Sequence, residues 1–82
     1  MRTKRNNWHV GGLTGSVPKV KQAIAAQADI PQHWRDCLCA EIDSACGTAY
    51  NFVQVHAHFS EEPEPTQTGH VSISIHPSKV LV

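Results

Sequence analysis

No stretch of the chain approaches the roughly 18 consecutive apolar residues that a membrane-crossing helix takes, which excludes a transmembrane protein of that kind. The N-terminus, MRTKRNNWHVGG, begins basic but lacks the apolar segment of a secretory signal. The expectation is therefore a soluble, intracellular, cytoplasmic protein. Cysteine is sparse: Cys37, Cys39 and Cys46 are odd in number, lie close together and form no C-x-x-C pair, which argues for reduced thiols rather than a disulfide framework. Aromatic residues are few as well, with two tryptophans, two phenylalanines and one tyrosine. There is no internal repeat.

What is present fits one small domain spanning residues 1–82, with residues 1–6 expected as a flexible basic arm. A chain of this size buries only about 60% of its unfolded surface, so it has little stability to spare for a deep catalytic cleft. Large enzymes are excluded; small binders are not, and oligomerisation is a common supplement to a modest core.

The formal net charge is zero, yet the charge is unevenly divided. Residues 1–28 carry Arg2, Lys4, Arg5, Lys19 and Lys21 and no acid, whereas residues 29–64 carry Asp29, Asp36, Glu41, Asp43, Glu61, Glu62 and Glu64 against Arg35 alone. Such asymmetry implies either an internal contact between the basic and acidic parts or two partner-facing surfaces of opposite sign.

The order of elements follows from periodicity. Asn7 to Val10 reads as a short strand, followed by a glycine-rich turn in GGLTGS. SVPKVKQAIAAQA reads as a helix: Ser16 is placed to cap it, Pro18 suits its first turn, and Val20, Ile24 and Ala25 share one side. A second helix is expected from Pro31 to Cys46, with Asp29 near its start and Gly47 at its end. Trp34, Cys37, Leu38, Ile42 and Ala45 form its buried face, leaving Arg35, Asp36, Cys39 and Asp43 outside.

From Tyr50 the period changes to two. Val53, Val55, Ala57 and Phe59 alternate with Gln54, His56 and His58, and Val71, Ile73 and Ile75 alternate with His70, Ser72, Ser74 and His76. The intervening SEEPEPTQTG is too polar and proline-rich for a strand, so the two runs form a hairpin with a long acidic loop. An isolated hairpin is marginal in water; the helices can cover its apolar face, and the N-terminal strand or the hairpin of a second chain can add to its edge. The expected fold is α+β, in the order β-α-α-β-β.

Matching the apolar faces allows two registers, one opposing His58 to His70 and the other opposing His58 to Ser72 and His56 to Ser74. In either, His56, His58 and His70 share a face and form a candidate three-nitrogen metal site. His58-Phe59-Ser60 and His70-Val71-Ser72 also resemble the paired motifs of the two-histidine phosphoesterases, a resemblance confined to those six residues. It implies a phosphate-ester ligand on the same face.

GGLTGSVPK precedes a helix whose amides can hold an anion, and Arg5, Trp8, Lys19 and Lys21 are candidate anion-binding residues, although the spacing is not that of a phosphate-binding P-loop. This part is where a small anionic ligand or a nucleic acid would dock. No spacing points to nucleophilic catalysis. The reading that asks least of the geometry is a non-catalytic binding protein without a cofactor. Another protein is its expected partner, contacted by Glu61, Glu62, Glu64, Arg35, Asp36 and Asp43, and a homodimer is a further expectation. In size and style the chain resembles phage or mobile-element inhibitors of host systems.

Overall fold

The computed structural model describes residues 6–61 and 69–81. Its elements are β1 (Asn6–Ser16), α1 (Val17–Ala25), α2 (Gln32–Cys46), β2 (Phe52–Glu61) and β3 (Gly69–Ser78). The three strands form one antiparallel sheet in the order β1-β2-β3. The fold is α+β with a C-terminal hairpin, as the change of period at Tyr50 indicates.

The N-terminal strand is longer than its sequence suggests. GGLTGS is not a turn: β1 runs through it to Ser16, paired with β2 from Asn6↔Glu61 to Ser16↔Phe52. Between Val10↔Ala57 and Leu13↔Val55, two residues of β1 face His56 alone, which is a β-bulge. Gly12 supplies the left-handed backbone this needs, at φ +62°. The glycines therefore bend a strand that the ladder to β2 keeps continuous.

Ser16 occupies the cap position of α1 but makes no capping hydrogen bond through its side chain; Val17 N instead donates to Asn51 O at 3.2 Å. At the far end, α1 has no basic residue in its last turn. Arg35 of α2 fills that role, donating from Nη1 to Ala25 O at 2.8 Å and from Nε to Ile30 O at 2.9 Å. A cation there satisfies free carbonyls and complements the negative end of the helix.

Both helices lie on the apolar side of the sheet, α1 against β1 and β2, α2 against β2 and β3. The core joins Val10, Val53, Val55, Ala57 and Phe59 of the sheet to Val20, Ile24, Ile30, Leu38, Ile42 and Cys46. In α2, Leu38 and Ile42 are buried as the helical period requires, and Trp34 is half-buried. Ala45 is exposed, however, Cys37 only half-buried, while Cys46 is buried and Cys39 packs on the core. The cause is α1, which packs on the flank of α2 and shifts its buried arc toward Cys39 and Cys46. Burial pushes both of those thiols above the ordinary cysteine pKa.

Strand β3 contributes nothing to the fully buried set. Val71 is 48% exposed, and Ile73 and Ile75 are half-buried.

Candidate functional site

With both helices on one side, the sheet turns its other face outward. Alternation puts Asn7 and His9 of β1, His56 and His58 of β2, and Ser72 and Ser74 of β3 on that face. The hairpin takes the second expected register, His58 opposite Ser72 and His56 opposite Ser74, with His70 opposite Ser60. β1 adds His9 directly opposite His58.

These side chains are ordered by one another. The His9 and His58 rings stack with centroids 4.4 Å apart and 16° between planes, and His58 Nε2 lies 3.2 Å from Asn7 Oδ1. His56 Nδ1 accepts a hydrogen bond from Gly12 N of the bulge at 3.2 Å. That bond uses the Nδ1 lone pair, so the His56 proton sits on Nε2, which is left as a donor. Ser74 Oγ and His76 Nε2 are 3.1 Å apart. Between these groups lies a shallow depression of about 290 Å³, lined by His9, Gly11, His56, His58, Ser72 and Ser74 together with Val10 and Ala57. Its walls are imidazoles and hydroxyls, which donate and accept hydrogen bonds without a fixed charge.

The expected metal trio is not drawn together. His56 and His58 are engaged as described, His70 lies four ladder positions from the His56 pair, and among the described residues no group of three His, Cys, Asp or Glu side chains is arranged to hold a metal ion. The two His-x-Ser units do meet: they run antiparallel, so that each histidine opposes the serine of the other.

Most of the described charged candidates are engaged within the chain, although Asp36 and Asp43 stay exposed. Asp43 receives Lys21 Nζ at 2.8 and 3.0 Å, an internal contact between the basic and acidic parts of the chain. The Asp43 hydrogen bond and charge hold Lys21 above the ordinary lysine pKa. Glu61 accepts from Trp34 Nε1 at 3.0 Å and lies 3.5 Å from His33 Nε2, while Trp34 stacks on Phe59 at 5.1 Å. Asp36 accepts from Gln32 Nε2 at 2.7 Å, one turn away on the same helix. Arg35 is bound to backbone carbonyls, and Trp8 packs against the core. Lys19 is exposed. Arg5, Glu62 and Glu64 lie outside the described residues, as do Arg2 and Lys4.

Sequence reasoning missed His9. Its alternation with Trp8 and Val10 is a local signal, but its place beside His58 depends on β1 pairing with β2, which no local pattern encodes.

This is a class of small α+β domain in which a helical layer closes one side of a three-stranded sheet and a polar, histidine-bearing side stays open. The chain matches no protein-family model, no curated protein and no solved structure.

Proposed function

We propose that the protein is a small non-catalytic binding protein whose contact surface is the open face of the sheet, centred on His9, His56, His58, Ser72 and Ser74. The observation that carries this reading is the division of labour between the two faces. Apolar residues and most of the charged candidates serve the helical side, whereas the other side presents an ordered set of imidazoles and hydroxyls around a depression, with no described element packed on it. Such groups suit the hydrogen-bonding surface of another protein better than a strongly charged one. Inhibition of a host component by simple occupancy would need nothing more.

The test is selection of peptide ligands on the immobilised chain, followed by mapping of the contact by NMR. The expected outcome is perturbation of the His9, His56 and His58 resonances and a loss of at least about tenfold in affinity for Ser72→Tyr, which fills the depression. Ligands that map to the helices and ignore Ser72→Tyr would overturn the reading.

The antiparallel pairing of the two His-x-Ser units favours a second reading, a phosphate-ester ligand on the same face. Titration with a simple phosphodiester would then shift His58 and His70 together; unmoved imidazole signals would remove it.

A further inference from the structure

The two edges of the sheet are protected unequally. Exposed strand edges invite pairing with another chain, and proteins blunt them with bulges, charges or proline. β1 has its bulge at Gly11 and Gly12. β3 pairs with β2 without a break over all ten of its residues, carries no Lys, Arg, Asp or Glu from Gly69 to Ser78, and meets a proline only at Pro77. It is also the strand with the least covered apolar face.

The sequence of this edge reads nearly the same in both directions. His70-Val71-Ser72-Ile73-Ser74-Ile75-His76 is a palindrome about Ile73, with Val71 standing for Ile75. In an antiparallel ladder with its two-fold axis at Ile73, like therefore meets like. His70 opposes the second copy's His76, Val71 its Ile75, Ser72 its Ser74, and Ile73 its own counterpart. Apolar side chains meet apolar ones on the helical side and hydroxyls meet hydroxyls on the open side, so one register satisfies both faces at once.

From this self-complementarity we infer that the chain is a homodimer joined through β3, forming a continuous six-stranded sheet. A two-fold axis perpendicular to the sheet keeps all four helices on one side and merges the two polar faces on the other. The dimer also explains apolar residues that alternation turns inward but one chain leaves partly open. Val71 would be covered by the second copy's Ile75. Ile73 and Ile75, left half-buried by one chain, would gain cover from the second copy's Ile73 and Val71. The inference stands apart from what the polar face binds.

The experiment is sedimentation of the full chain across micromolar to millimolar concentration, beside Val71→Lys, with amide hydrogen exchange of the wild type at both ends of the range. Val71 is exposed in the single chain, so the lysine leaves the fold intact but sets a charge against the second copy's Ile75. The expected result is a species of two chains for the wild type, one chain for Val71→Lys, and outward-facing β3 amides whose exchange slows on concentration while those of β1 do not. A wild type that stays single, a Val71→Lys chain that still pairs, or slowing confined to β1 or the helices would each overturn it. Should Val71→Lys fail to fold, the exchange pattern of the wild type decides alone.

Discussion

At the scale of single residues, the open face depends on a few positions with no freedom to vary. Gly12 holds φ +62° at the bulge and gives its N–H to His56. A Cβ there meets only His56 Cε1 at 3.8 Å, so space is adequate and the penalty is conformational. Gly12→Ala should cost about 1–2 kcal/mol, read as a lowered urea midpoint, and should move the His56 ring resonances as the bulge relaxes. Unchanged His56 signals would show that the bulge does not orient the imidazole. On the helical side Arg35 is tied in a comparable way, joining the end of α1 and the following turn to α2. Arg35→Lys keeps the charge but cannot reach both carbonyls with a planar fork, so it should lose roughly 1 kcal/mol by the same measurement. The sequence suggested a partner contact at Arg35 because its acceptors are backbone carbonyls, which no side-chain pattern reveals. Glu61 was opaque for a similar reason: its hydrogen-bond donor, Trp34, lies on another element and is brought near only by the fold.

At the scale of elements, period explains most of what could be read. The two-residue alternation of β2 and β3 and the Leu38 and Ile42 spacing of α2 are local signals, and all three elements form as those signals require. β1 was only half legible, because glycine in isolation signals a turn and becomes strand here through pairing with β2. The contact between helices adds a pH dependence with a definite sign. Lys21 is held above its ordinary pKa by Asp43, so its contribution is fully present below that ordinary value of 10.5 and is lost as pH rises through the folded value. Cys39 and Cys46 act in the same direction: above the ordinary thiol value of 9.0 the unfolded chain ionises while the buried thiols resist. Stability should therefore decline from about pH 9 upward. Cys46→Ala should flatten the first part of the decline, and Lys21→Met, which removes a partly exposed pair worth at most about 1 kcal/mol, the later part. A wild-type urea midpoint that stays level between pH 8 and 10.5 would contradict the thiol assignment, and one that shows no further decline above pH 10.5 the Lys21 assignment.

At the scale of the whole molecule, the core is off centre. Its fully buried sheet residues belong to β1 and β2, and β3 lends only half-covered isoleucines and an exposed valine. The C-terminal end of β3 is secured differently, by Asn51, whose side chain donates to Val80 O at 2.9 Å and accepts from Val80 N at 2.8 Å, extending the ladder by one polar clasp. Truncation cost should thus fall steeply across the sheet. Phe59 is fully buried and carries the stack on Trp34, which in turn holds Glu61, so Phe59→Ala removes both volume and support and should cost about 3–5 kcal/mol. Ile75→Ala, on a half-buried position, should cost clearly less than that, and Val71→Ala no more than about 0.5 kcal/mol. Urea unfolding at dilute chain concentration measures all three against one baseline. Equal losses for Phe59→Ala and Val71→Ala would mean that β3 is as well covered as β2. The dimer through β3 makes a further demand on the same variants: at high chain concentration the cost of Val71→Ala and Ile75→Ala should rise while that of Phe59→Ala stays constant, because only the β3 side chains gain cover from a second copy.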